Sequence, residues 1–366
     1  MRKGWEYKKL GDCTQILDSQ RKPVTKRDRK SGIYPYYGAT GIQDYVDKYI
    51  FDGRYVLVGE DGAKWSSFTQ SAFIIEGKTW VNNHAHVLRT NGFLVDSFLV
   101  YFLNYSDLDS YISGAIIRKL TQASLRNIDI PLPPKSTQLA IVSELDKINE
   151  LIRLKKEQLK DFDNLAQSLF YEMFGDPVEN EKGWEVETVQ NSCTLKSGDS
   201  KANNSKVGTL PYIKVGDMNL PENENYINIS TNYVDKKTNI KRIFPIGTII
   251  FPKRGGAILT NKKRLTNVEI CCDLNIMGVT PGNMLNKYYL FQYFKILDLS
   301  TICSGSTVLQ LNNCDINPLR IPLPPLSLQH LFAQRIEQIE REKSEVQKSI
   351  QDLETLLASR MQYWFE

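Results

Sequence analysis

The chain has 366 residues, 41% of them hydrophobic, with 46 Lys/Arg against 42 Asp/Glu and a net charge of +4. That length supports two or three domains with real cores, and no run of eighteen apolar residues is present to cross a membrane. The opening MRKGWEYKKL lacks the apolar core of a secretion signal, and the six cysteines form no CxxC pair, so free thiols in a reducing cytoplasm are expected and a structural zinc site is not.

Along the chain, charge alternates. Residues 1–135 hold 19 Lys/Arg and 14 Asp/Glu, residues 136–182 hold 6 and 10, residues 183–326 hold 16 and 11, and residues 327–366 hold 5 and 7. The two longer segments are basic, as suits a polyanionic partner, and the two shorter ones are acidic. The same segments repeat. Gly4-Trp5-Glu6 returns as Gly183-Trp184-Glu185, YPYYGATG from Tyr34 as LPYIKVGD from Leu210, GRYVLVGEDGA at 53–63 as GTIIFPKRGGA at 247–257, and SGAIIRKLTQ from Ser113 as SGSTVLQLNN from Ser304. A repeat at this scale means one scaffold written twice.

Each basic segment reads as mixed β-structure with short helices. RYVLVG and AFIIE are β-rich runs bounded by turn residues, and VDSFLVYFLNYS and NKYYLFQYFKIL each read as one short buried helix. IPLPP then occurs at Ile130–Pro134 and again at Ile321–Pro325. Its prolines are expected to end extended chain, with Ser136 and Ser327 as helix N-caps. From there apolar residues step by fours and threes. The first run is Ile141, Leu145, Ile148, Ile152, Lys155, Leu159, Phe162, Ala166, Leu169, Met173. Phe332, Ile336, Ile339, Lys343, Val346, Ile350, Leu353, Leu357, Arg360 and Trp364 follow in the second. This is the seam of a coiled pair. Residues 136–174 would span roughly 58 Å as a helix, ended by Gly175 and Pro177. Two such helices in one chain pair most simply with each other, antiparallel. The predicted fold is α+β, with mixed α/β domains at 1–135 and 176–326 in pseudo-two-fold repeat, separated by two long antiparallel coiled-coil helices at 136–175 and 327–366.

Catalytic signatures are missing: no Walker loop, no GxGxxG, no Asn-Pro-Pro-Tyr and no HExxH. Asp61 with Glu76-Gly77-Lys78 is a weak match to a carboxylate nuclease site. His84 and His86 could form a metal pair, but without a third ligand a surface or base-contacting role is the better reading. No metal or catalytic residue is assigned. The basic clusters are more informative. RKPVTKRDRK at 21–30 supplies Arg21, Lys22, Lys26 and Arg27 as phosphate contacts, and the second half offers Lys253, Arg254, Lys262 and Lys263 beside KKTNIKR at 236–242. Candidate base readers are Tyr36, Tyr37, Arg118 and Lys119, then Lys214, Lys262, Thr307 and Gln310.

With the repeated IPLPPxxxQ…I…LI, the heptad helices and FYEMFGDP closing the first of them, the whole chain resembles the specificity subunit of Type I restriction–modification enzymes. The resemblance implies a non-catalytic reader of double-stranded DNA in the cytoplasm. Each domain would read half of a bipartite, asymmetric site. The helices would space the halves and dock methyltransferase subunits, to which restriction subunits attach. S-adenosylmethionine, ATP and Mg²⁺ would belong to those partners and none to this chain. Two alternatives stay open: the recognition part of a nuclease or standalone methyltransferase, or a coiled-coil scaffold.

Overall fold

The computed structural model describes residues 5–199, 208–235, 242–305 and 308–366. They form two compact units, residues 1–157 with 346–366, and residues 158–345.

In the first unit the elements run β1 (Glu6–Lys9), α1 (Leu10–Cys13), β2 (Thr14–Ile16), β3 (Ser31–Gly38), β4 (Gly41–Val46), β5 (Phe51–Gly59), β6 (Ala72–Val81), β7 (Ala85–Thr90), α2 (Asp96–Tyr105), β8 (Ile112–Ser113), β9 (Lys119–Leu120), α3 (Gln122–Arg126), β10 (Asp129–Leu132) and the start of α4 (Lys135–Phe174). Strands β2-β7-β5-β6-β3-β4 make one six-stranded sheet. Central β5 is apolar on both faces because both are covered. Val56 and Val58 pack with Phe98, Leu99 and Leu103 of α2, while Tyr55 and Leu57 pack with Phe51, Ile75 and Val87 on the other side, the two-residue alternation of a strand.

The second unit repeats this plan with β11 (Glu185–Thr188), α5 (Val189–Ser192), β12 (Cys193–Ser197), β13 (Leu210–Ile213), β14 (Tyr226–Ile227), β15 (Tyr233–Val234), β16 (Ile249–Pro252), β17 (Arg264–Thr266), β18 (Cys271–Cys272), β19 (Ile276–Pro281), α6 (Lys287–Ile296), α7 (Asn313–Ile316), β20 (Arg320–Leu323) and α8 (Leu326–Phe365). Its main sheet has the order β12-β19-β16-β17-β14. Central β16 divides its residues as β5 does, Ile249 and Phe251 into the core beneath α6 and Ile250 into a second cluster with Phe244 and Ile276. All six cysteines are free thiols.

Two expectations at the helix entrances are corrected. The first proline of each motif does not stop the ladder, since Pro131 lies opposite Tyr7 in the β1–β10 pair and Pro322 opposite Val186 in β11–β20, whereas the strands do end at Leu132 and Leu323, ahead of each Pro-Pro pair. Each ladder has only two strands, so a proline nitrogen on the open side breaks no bond. Nor are Ser136 and Ser327 N-caps. The helices begin at Lys135 and Leu326, and the carbonyls of Pro134 and Pro325 accept their first amides.

The heptad seam is buried in both helices. Ile141, Leu145, Ile148, Ile152, Phe332, Ile336, Ile339, Val346 and Ile350 are buried, and Leu159, Phe162 and Leu353 are half-buried. Within the first unit Arg360 pairs with Glu144, and Lys156 with Glu354 at 2.8 Å. Within the second, Lys343 pairs with Asp163 at 2.9 Å and Phe332 packs on Phe170. Partner numbers fall on one strand as they rise on the other, so the pairing is antiparallel in each. The two helix twins diverge at their polar seam positions: Lys343 is buried against Asp163, whereas Lys155 is half-buried.

Candidate nucleic-acid interface

In each unit the main sheet ends in a loop that pairs with a short hairpin. In the first unit β5 runs out at Gly59, and the Leu120 amide donates to the Glu60 carbonyl at 2.8 Å. In the second unit β16 runs out at Pro252, and Leu311, the twin of Leu120, donates to the Lys253 carbonyl at 2.9 Å. Asp61 bridges to Lys119 as Arg254 bridges to Gln310. Glu60 and Lys253 are therefore equivalent positions carrying opposite charge.

Around Glu60 the charges are matched. Its Oε1 lies 2.6 Å from Lys119 Nζ and its Oε2 lies 2.5 Å from Arg21 Nη1. Arg21 also meets Asp18 at 3.3 Å and donates to the Ala85 carbonyl. His86 is 1% exposed, with Nδ1 2.6 Å from Asp18 and Nε2 2.8 Å from the Leu120 carbonyl. Both ring nitrogens face acceptors. Burial pushes the Asp18 and Glu60 carboxyls up, but the hydrogen bonds and charges of His86, Arg21 and Lys119 outweigh it and hold both below their ordinary values. Hydrogen bonding to Glu60 raises Lys119 in turn.

Around Lys253 the charges are not matched. Lys253 donates to Ser197 Oγ at 2.9 Å, and Arg242 donates to the Ser197 carbonyl at 2.9 Å. Burial, then the like charges of Arg254 and Arg242, push Lys253 down. Among the described residues no carboxylate lies within 4.0 Å of Lys253, Arg254 or Arg242. Three cations that repel one another at a strand end form an anion-seeking site, suited to a phosphate.

Other sequence candidates separate by burial. Lys22, Lys26, Arg27 and Arg254 are exposed, and Arg118 is exposed beside Asp109 at 2.7 Å. Lys262 is half-buried on Asn219, Lys214 lies near the Tyr212 ring, and the Gln310 amide donates to Asn312 at 2.7 Å. Thr307 lies outside the described residues, as do 236–241. Three assignments are corrected. Arg21 is a half-buried structural ion paired with Asp18 and Glu60, not a free phosphate contact. Tyr36 is 1% exposed, its hydroxyl bonded to Val24, so it reads no base. Lys263 is 4% exposed and donates to Asn261 and to the Leu297 carbonyl; burial pushes it down to about 8. Tyr37 is half-buried against Phe73. Arg242 closes the KKTNIKR cluster, but Asp18, Glu60 and Ser197 were not foreseen from the sequence. Only the ladder contacts that make 60 equivalent to 253 bring them out; matching 53–63 with 247–257 sets Glu60 against Arg254, and the IPLPP offset of 191 sets it against Phe251.

The family of the Type I restriction modification DNA specificity domain matches residues 2–161 and 181–355, once for each half. The chain belongs to this family. S.HindORF215P of Haemophilus influenzae, which carries a type I restriction enzyme specificity-subunit name, is 29% identical over 92% of this chain and 87% of its own. The type I restriction enzyme MjaIX specificity subunit of Methanocaldococcus jannaschii is 22% identical over 90% and 85%. Two solved structures share the fold. One is the type I restriction–modification S subunit from M. genitalium, at TM-score 0.57 and 13% identity over 99% of this chain and 96% of that one. The other belongs to work on complex assembly and conformational transition of the type I R-M system, at 0.60 and 18% over 100% and 98%.

A specificity subunit carrying a nuclease site would need its carboxylates together, and the register here separates them. Glu76 lies opposite Arg54 in the β5–β6 ladder and pairs with it, whereas Asp61 lies beyond Gly59 and holds His84 at 2.5 Å. Five strand positions separate Arg54 from Gly59, about 16 Å at 3.3 Å per residue. Nor do the histidines form a pair. His84 is exposed, and His86, expected at the surface, is buried. Asp18, Glu60 and His86 do sit close enough to share a metal ion. Arg21 and Lys119 already neutralise those carboxylates, so a divalent ion would have to displace them. No helix is long and apolar enough to cross a membrane among the described residues.

Proposed function

We propose that this chain is the non-catalytic DNA reader of a type I restriction–modification complex in the cytoplasm. Each unit reads one half of a bipartite, asymmetric duplex target. Helices α4 and α8 dock methyltransferase subunits and, through them, restriction subunits. S-adenosylmethionine, ATP and Mg²⁺ belong to those partners, and this chain holds none of them.

The observation that carries the reading is the pair of equivalent positions Glu60 and Lys253. One framework is built twice and given different charged groups at the same strand end, as two readers of two different sequences require. The unmatched cluster of Arg242, Lys253 and Arg254 supplies the phosphate-binding term.

The test is to purify the chain alone and with its methyltransferase partner. Alone it should bind duplex DNA with affinity that falls with salt, and it should neither methylate nor cut under any cofactor. With the partner and S-adenosylmethionine, adenines in a bipartite motif should become methylated. Mg²⁺-dependent cutting by the chain alone, abolished by Glu76→Ala, would restore the nuclease alternative.

A further inference from the structure

The hairpin β8–β9 holds two apolar side chains out in water. Ile116 is 96% exposed and Ile117 71% exposed. Bare isoleucines on a mobile loop would fold back onto the surface, but this hairpin is anchored. Its strands pair Ile112 with Leu120 and Ser113 with Lys119. Lys119 is fixed to Glu60, and the Leu120 carbonyl to buried His86. At the tip, Gly114 has φ +94°, and a Cβ there would stand 2.1 Å from the Ile117 carbonyl oxygen. Only glycine allows that approach. The ion network described above thus works as a foundation that presents the tip.

The second unit has a matching bridge between Ser304 and Gln310. Gly305 has φ +98°, and its Cβ would stand 2.3 Å from the Val308 carbonyl oxygen. Val308 is 60% exposed. Ile116 and Ile117 in the first unit and Val308 in the second are thus exposed β-branched side chains next to equivalent glycines. Exposed Lys64 lines the cleft beside Trp65, Ile116 and Ile117, together with Arg118, which pairs there with Asp109 at 2.7 Å.

We propose that Ile116 and Ile117 determine specificity by packing on thymine methyl groups in the major groove of one half-site. The proposal rests on the DNA-reading function above. A two-stranded β-ribbon fits the major groove, and the thymine C5-methyl is the apolar group exposed on its base edges. Lys64 beside the tip suits a phosphate that borders the groove.

The test uses the full chain and a duplex of the motif found by methylome sequencing. Deoxyuridine, which lacks only the methyl group, replaces thymine in each half-site in turn, and affinity is measured by competition over a series of salt concentrations. Wild type should lose about tenfold on substitution in one half-site only. Ile116→Ser with Ile117→Ser should bind the thymine duplex about tenfold more weakly and lose its sensitivity to deoxyuridine in that half-site. Its salt slope and melting temperature should not change, since neither side chain is buried or charged. The idea is overturned if neither half-site responds to deoxyuridine, or if the double variant remains sensitive. It is also overturned if the variant is weakened without any methyl effect while 2-aminopurine reports unstacking, which would make the tip a wedge between bases. Absence of salt-dependent binding to any duplex is a different failure and would remove the DNA-reading function itself.

Discussion

The Gln138 side-chain oxygen accepts a hydrogen bond from the Val95 amide at 2.9 Å, and Gln329 repeats this with the Asn286 amide at 2.8 Å. Each glutamine also donates from Nε2 to two carbonyls, Phe93 and Pro133 for Gln138, Met284 and Pro324 for Gln329, and both are fully buried. The pair explains why glutamine stands four residues after each IPLPP. It ties the first turn of the long helix to the loop that precedes α2 or α6, leaving no buried amide group unmatched.

Gln138→Ala and Gln329→Ala should therefore each destabilise their own unit. Every buried group left without a partner costs about 1–3 kcal/mol, and relaxation will recover part of that. A loss of about 2–4 kcal/mol in denaturant unfolding is expected for each variant. If both lose less than about 0.5 kcal/mol, the two-stranded ladders alone hold these junctions.

How much of this was legible in the sequence depends on the range of the interaction. The heptads were, because Ile141 to Ile152 and Phe332 to Ile339 declare their face through local spacing. The halves were, because IPLPP recurs. Gln138 was not, since its partners Phe93 and Val95 are over forty residues away. Arg21 looked like a phosphate contact because it opens a run of six cations. Of its true partners, Asp18 stands three residues before it, but Glu60 is brought to it only by the sheet, where β7 pairs with both β2 and β5. Tyr36 and Lys263 went wrong for the same reason: composition shows charge and aromaticity, whereas burial is decided by the sheet.

Acid should unfold the first unit through Asp18 and Glu60. Both carboxyls are held below their ordinary values of 3.8 and 4.5 in the fold. The unfolded chain therefore takes up protons first, and the stability they contribute is fully present above those values and lost as pH falls through and below them. Glu60→Gln removes one of these groups, and its acid transition should be less steep than that of wild type when followed by amide exchange at Val87 and Leu120. Identical profiles for the two proteins would show that the network does not govern acid stability.

The cations should divide into two classes. Lys253→Ala with Arg254→Ala should leave folding unchanged and flatten the salt dependence of DNA affinity by about 1.8, two phosphate contacts at about 0.9 each. Arg21→Ala should do the reverse, costing about 1–3 kcal/mol of stability because Asp18 and Glu60 lose one cation while keeping His86 and Lys119. A salt slope unmoved by the first pair would mean that the Lys253 strand end does not face DNA.

Helix length should set the gap between the half-sites. We take α4 and α8 as the spacer because both are continuous 40-residue helices whose apolar seam is interrupted by Lys155 in one and by Lys343 and Arg360 in the other. Inserting one heptad after Glu157 and another after Lys348 keeps that seam in phase on both strands of the antiparallel pair. Each heptad adds about 10.5 Å of helix, and the duplex rises about 3.4 Å per base pair. A rod inclined to the duplex transmits only part of its added length, so the unspecified gap should widen by about one to three base pairs. Both half-site sequences should stay as they were, because no residue of either sheet or hairpin is altered. Methylome sequencing of cells carrying the lengthened subunit with its partners reads the motif directly. Full activity with an unchanged gap would show that something other than the helices sets the spacing, and an altered half-site would show that the helices themselves contact bases.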